Sequence, residues 1–343
     1  MVRVIGRQFR RADDPDWESM NRNPSVPRYA ADLIGPMARQ ALSPDSSGTI
    51  LAGYSRAVYL RSAAGELVWL APGDVPMHRR GIRVQASLPR PPRDSAYRVA
   101  DGALQLGSAA SIELSQARVW EPQRFAGSSQ HIETEICTPD QLPMLPSPKG
   151  FGAVLPPLLA YAAGTPFPPR APRRDQVLVS AYPAICGVAR ACHQQDLAAL
   201  LKHADGLVGM GEGLTPSGDD YIGGVLFGLA MLRETGARLP WCSPGMVASF
   251  IKASKARTNL ISAALLGDHA AGHASETLHR FAYTFLMGRS AEAAYQAACD
   301  LIRIGHSTGW DLLTGAWTAM ALVPSGAAPA RRQAYAWAFA AST

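Results

Sequence analysis

The spacing of apolar residues changes once along this chain, and that change limits the folds open to it. From about residue 48 to 135 the apolar and β-branched residues come in short runs: Thr49–Tyr54, Ala57–Arg61, Leu67–Leu70, Gly81–Ala86, Ser95–Val99 and Ser111–Val119. Ala63-Ala64-Gly65-Glu66 makes a turn between the second and third runs. Short runs bounded by turn residues are strands, and several at this spacing point to a small barrel or sandwich. From about residue 175 apolar residues recur every three or four positions, the helical period. Helices are expected near 194–203, 219–234, 243–266, 270–287, 290–304, 310–321 and 329–341, with Ser243-Pro244 as a cap and first-turn pair for the third. Strands followed by helices give an α+β fold, here an N-terminal small β-barrel or β-sandwich followed by a mostly α-helical C-terminal domain. No sequence repeat is evident among the helices.

The stretch between the two halves, residues 138–174, carries ten prolines and reads as a connector holding one short helix near Pro156–Ala163. The first thirty residues hold six arginines and Asp13-Asp14-Pro15-Asp16. The expected organisation is therefore a loosely ordered arm at 1–30, a β-rich domain at 31–137, the connector at 138–174 and a helical domain at 175–343.

Composition excludes several classes. The longest apolar run, Tyr221–Leu232, is too short to span a membrane, and its Gly224-x-x-x-Gly228 spacing suits close packing against another helix. The start of the chain is polar, so a secretory signal is not expected and a cytoplasmic location is. Five cysteines, at 137, 186, 192, 242 and 299, include no CxxC pair, which disfavours disulfides and a zinc cluster. The net charge of +6 comes from 29 arginines and four lysines against 27 acids. The arginines are scattered and no nucleic-acid motif accompanies them, so solvated surface charge is the simpler account.

Within the helical half, Gly209-Met210-Gly211-Glu212-Gly213-Leu214-Thr215-Pro216-Ser217-Gly218-Asp219-Asp220 places three alternating glycines before a helix start. Glycines let bare N–H groups approach a ligand, and a helix N-terminus favours an anion. Thr215 or Ser217 is the expected cap, and with Ser217 as cap Asp220 would close a capping box. Asp219 is then left without a structural duty, which makes it a candidate for catalysis. The spacing fits neither a Walker A loop nor the dinucleotide fingerprint. The bland alternative is a glycine-rich turn between buried helices.

Two further motifs follow. Lys255, Thr258, Asn259 and Ser262 share one face of the helix expected at 243–266, and a cation with hydroxyls suits a phosphate or carboxylate. A solvated helix face is the commoner origin of such a stripe. Gly305-His306-Ser307-Thr308-Gly309-Trp310-Asp311 repeats the logic of the glycine loop, with an aspartate at a helix start. His306 is the candidate for proton transfer, and the plain alternative is a C-cap at Gly305 with Thr308 or Asp311 capping the next helix. His269 and His273 have a metal-like spacing without the acid of a metalloprotease motif.

These three blocks, in this order, resemble those of the family of the AllH-type subunit of oxamate carbamoyltransferase. The likeness runs over roughly 45–325, and the last block departs from the family pattern at Ser307-Thr308-Gly309. The resemblance implies carbamoyl transfer between carbamoyl phosphate and oxamate, giving oxalurate and phosphate or the reverse, in allantoin breakdown, within an assembly of other subunits. On that basis Asp219, Asp220, His306 and Asp311 are the catalytic candidates. Gly209, Gly211, Gly213, Thr215, Ser217, Gly218, Lys255, Thr258, Asn259, Ser262, Ser307 and Thr308 are the candidates for binding the anion. The partners expected are a small anionic metabolite of the carbamoyl phosphate or oxamate class and other enzyme subunits, with no nucleic acid and no membrane. No cofactor is assigned, with magnesium left open. A non-catalytic ligand-binding or scaffold subunit and a magnesium-dependent phosphotransferase using Asp219, Asp220 and Asp311 are the alternatives.

Overall fold

A computed structural model of the chain describes residues 26–87, 90–123, 145–287 and 290–324. Residues 1–25 of the expected arm, the first part of the connector, the helix expected at 329–341, His131 and Cys137 lie outside the described residues. Contacts divide the chain into two units, Met1–Glu121 and Pro122–Thr343.

The first unit is a barrel. Its elements are β1 (Arg28–Ile34), α1 (Pro36–Ala41), β2 (Ser47–Gly53), β3 (Val58–Ser62), β4 (Leu67–Pro72), β5 (Gly81–Val84), β6 (Ala96–Ala100), β7 (Ala103–Gln105), β8 (Ser111–Glu113) and β9 (Arg118–Val119). The strands pair in the order β5-β4-β3-β2-β6-β7-β8-β1, and β1 pairs back onto β5, so eight strands close. Closure leaves no edge to protect. Alternation turns Ile50, Val58, Leu60, Leu70, Ile82, Leu104 and Ile112 into the core. Strand β1 closes the ring by dividing its length: Arg28–Ala30 run parallel to β8, Leu33 and Ile34 run parallel to β9, and the other edge is antiparallel to β5 with a bulge between Ala31 and Leu33. This strand is not among the runs that alternation picks out, because Asp32 interrupts it. The structure supplies what offsets that charge: Arg83 of β5 reaches the Asp32 carboxylate with Nη2–Oδ2 2.5 Å and Nε–Oδ1 3.0 Å. The guanidinium holds the Asp32 carboxyl down at about 2.

The second unit is helical. A 3-10 turn, Gly150–Val154, leads into α2 (Leu155–Ala162), followed by α3 (Gln176–Gln194), α4 (Leu197–Asp205), α5 (Ser217–Glu234), α6 (Pro244–Ser254), α7 (Leu260–Ala270), α8 (Glu276–Met287), α9 (Ala291–Leu301) and α10 (Thr308–Leu322). Three sequence expectations change. Helix α3 was not anticipated; Asp175 caps its start by accepting from Leu178 N at 2.8 Å, and the helix continues through Pro183. The helix expected over 243–266 is two helices, because the chain turns at 255–259 and restarts with Asn259 as the cap of α7. Gly272, at φ +79°, ends the turn after α7, so α8 starts at Glu276 rather than near 270.

Helices α5 and α10 form the centre of this unit. Residues 309–322 of α10 are all buried, as are 218–229 of α5, the mark of helices enclosed on every side. Their contact is reciprocal. A Cβ on Gly224 would lie 2.3 Å from Leu312 O, and one on Gly315 would lie 2.0 Å from Tyr221 O. A Cβ on Gly218 would meet Leu207 O, ahead of α5, and one on Gly309 would meet Leu301 O, ahead of α10. Gly218 and Gly309, Tyr221 and Leu312, and Gly224 and Gly315 keep one constant offset in sequence. The first turns of α5 and α10 thus face each other through corresponding positions, a likeness carried by too few residues to stand out in the sequence.

Candidate functional site

The close packing of α5 on α10 brings the two motif loops together at the starts of these helices. No side chain caps either helix: Pro216 stands at the N-cap of α5 and Ser307 at that of α10. The expected cap at Thr215 or Ser217, and with it the capping box to Asp220, is therefore corrected. The physical reason is that these hydroxyls bond across the helix pair instead. Thr215 Oγ1 lies 3.0 Å from Thr308 Oγ1, and Ser217 Oγ lies 3.3 Å from Ser307 Oγ. One first-turn donor of each helix is taken by its own loop, Gly218 N by Met210 O at 2.8 Å and Gly309 N by Ile304 O at 3.0 Å. The remaining first-turn N–H groups keep the partial positive charge of a helix start. Thr215, Ser217, Ser307 and Thr308 are each half-buried.

Beneath this quartet sit Asp220 and Asp311, both buried. The Asp220 carboxyl bonds the hydroxyls of Thr215 and Thr308, and that of Asp311 bonds those of Ser217 and Ser307. Each aspartate thus meets one hydroxyl from its own helix start and one from the other. Phe151 N also donates to Asp311 Oδ1 at 2.6 Å, and a Cβ on Gly150 would lie 2.4 Å from that oxygen. The Oδ2 atoms of Asp220 and Asp311 have no hydrogen-bond partner. Burial pushes the Asp311 carboxyl up from 3.8 to about 7. Asp220 is raised well above its ordinary value, by burial first and by the Asp311 charge second.

Asp219 has a structural duty after all. It accepts from Gly209 N at 2.7 Å, from Ser262 Oγ at 2.6 Å and from Thr258 Oγ1. One carboxylate thereby ties the glycine loop to the start of α7. Asn259 caps α7 by accepting from Ile261 N and Ser262 N, each at 3.0 Å, and donates to Leu214 O at 2.9 Å. Arg257 fastens the same turn to the end of α4 through Asp205 Oδ1 at 2.6 Å and Asp205 O at 2.8 Å. Gly209, Gly211 and Gly213 all have positive φ, at +73°, +116° and +94°. At Gly209 space is tight as well, since a Cβ would lie 2.3 Å from Arg257 O.

The broken helix separates Lys255 from the other three residues of its expected stripe. Thr258, Asn259 and Ser262 join the loop, whereas Lys255 is exposed and lines a cleft between α5, α6 and α7. His306 is exposed beside Ser307 and has no hydrogen bond to a described residue. His269 is buried against Gly223 and pushed down to about 4 by burial. No group of three or more His, Cys, Asp or Glu among the described residues could hold a metal ion. The residues missed from sequence are Gly150 and Phe151, at the end of the proline-rich stretch. The only signal for them is Lys149-Gly150-Phe151-Gly152, glycines flanking an aromatic after the prolines.

Residues 207–320, which hold the glycine loop, α5, the start of α7 and the start of α10, match a family of enzyme subunits. That family is described as oxamate carbamoyltransferase subunit AllH, and over this segment the chain is similar to it. No curated protein and no solved structure matches the chain. Among the described residues no helix is long and apolar enough to cross a membrane.

Proposed function

We propose that the chain contributes an oxyanion site to a carbamoyltransferase built with other subunits, and that the anion sits over the paired starts of α5 and α10. The observation that carries this reading is the pair of uncapped helix starts sharing the Thr215, Ser217, Ser307 and Thr308 hydroxyls. Two helix dipoles and four rotatable donors suit a phosphate or carboxylate, the chemistry of carbamoyl phosphate and oxamate. Burial raises the Asp220 carboxyl beneath them, which lessens the charge that would repel an anion. In the transfer, the bond from the carbamoyl carbon to a phosphate oxygen breaks, one to the oxamate nitrogen forms, and that nitrogen loses a proton. We assign the proton to His306, exposed beside Ser307, because an imidazole can both accept and donate a proton. Asp219 keeps the loop in shape.

Calorimetric titration with carbamoyl phosphate, and with sulfate as an anion that does not titrate, tests the site. Ser217→Ala with Ser307→Ala is expected to weaken both anions at least tenfold, about 1.4 kcal/mol, with the melting temperature little changed. Unaltered affinity in that double variant would sink the proposal. A second reading, a scaffold subunit without chemistry, is favoured by the use of Asp219 and Asp311 as anchors for Gly209 N and Phe151 N. It predicts no anion binding by the wild-type chain at all.

A further inference from the structure

The cleft that receives Lys255 has a use separate from the hydroxyl quartet. It holds about 500 Å³ between α5, α6 and α7, within the range of small-molecule sites. Its α5 wall begins at Leu226, two and a half turns beyond Ser217, roughly 13 Å along the axis. The floor is apolar, with Leu226 from α5 and Val247 and Ile251 from α6. Three cations stand around it: Arg233, Lys252 and Lys255. The side chains of these three make no ion pair or hydrogen bond with a described residue, whereas that of the neighbouring Arg257 pairs with Asp205. Lys252 and Arg233 fall in the last turns of their helices, where a cation complements the dipole. That duty does not require them to surround an apolar floor. Two of the chain's four lysines are here, in a protein that otherwise uses arginine.

We propose that this cleft binds an aliphatic carboxylate, its hydrocarbon body on the Leu226–Val247–Ile251 floor and its charge at Lys252 and Lys255. An apolar body removes that floor from water, and a carboxylate answers cations that no described residue neutralises. The ligand is thus larger and more apolar than the anion assigned to the α5 and α10 starts, and the site does not depend on that assignment.

Fluorescence titration of the full chain with 11-(dansylamino)undecanoate tests it. The expected result is saturable binding with a blue-shifted emission, displaced by decanoate and not by decanol. Lys252→Glu with Lys255→Glu should weaken the probe at least tenfold. Ala248→Trp, at an exposed position lining the cleft, should abolish binding, while Ser217→Ala with Ser307→Ala should leave it unchanged. Circular dichroism checks that each variant is folded. No saturable binding by the wild-type chain would overturn the proposal, as would probe binding that survives Ala248→Trp. Equal displacement by decanol would overturn the anionic end of the ligand.

Discussion

Gly315→Ala is expected to destabilise the helical unit by about 3 kcal/mol or more, the upper end of what overpacking a core costs. A Cβ there would stand 2.0 Å from Tyr221 O, an oxygen in the main chain of α5. A side chain could rotate away; a helix carbonyl cannot, so α5 and α10 must part. Alanine is the better helix former by roughly 1 kcal/mol, so the isolated helix would gain and any loss reports on packing. Gly224→Ala, facing Leu312 O at 2.3 Å, should behave the same way. Gly213→Ala serves as the contrast: nothing lies near its Cβ, and only the φ of +94° opposes the change, for about 1–3 kcal/mol of backbone strain. Urea midpoints for the three variants decide the matter. An unchanged midpoint for Gly315→Ala would mean that the close reciprocal contact is not what holds the pair together.

The helical unit should also lose stability as the pH rises from about 4 towards 8. Burial raises the Asp311 carboxyl from 3.8 to about 7, so between those values the folded chain holds a proton that the unfolded chain has released. Stability falls with pH wherever the native state binds more protons. The contribution is fully present below the unfolded value and is gone above the folded one. A shift of this size corresponds to about 4 kcal/mol across that window. Asp220 acts in the same direction, because its carboxyl is raised as well. Asp311→Asn cannot titrate, and its amide oxygen can still accept from Phe151 N. Melting temperatures between pH 5 and 8.5 should therefore fall for the wild type and run flatter for Asp311→Asn. Parallel curves for the two proteins would show that Asp311 is not the titrating group. The same linkage bears on the proposed site, since an anion over α5 and α10 should favour the protonated pair and bind more weakly above pH 7.

The α+β class and its order along the chain were legible because periodicity is a local property of a strand or a helix. Ser243 could be read as a cap, and it does accept from Met246 N, at 3.5 Å. Gly224-x-x-x-Gly228 could be read as a place for a close neighbour, and α10 packs there. What each side chain would bond could not be read in the same way. Asp219 looked free because its partners, Gly209 N, Thr258 and Ser262, lie up to 43 residues away. Ser217 looked like a cap because a serine before two carboxylates usually is one, yet its hydroxyl meets Ser307 across the helix pair. Lys255 looked aligned with Thr258 only while the helix was assumed continuous.

By itself, then, the sequence determined where strands end and helices begin, and where glycines make room. Tertiary structure alone decided that β1 closes the barrel, that the two loops meet at the starts of α5 and α10, and that Lys255 stands apart from them in the cleft between α5, α6 and α7. The physical reason is range. Backbone preference and hydrophobic period act over a few residues, whereas a hydrogen bond or a glycine contact depends on which distant segment packing brings within a few ångströms.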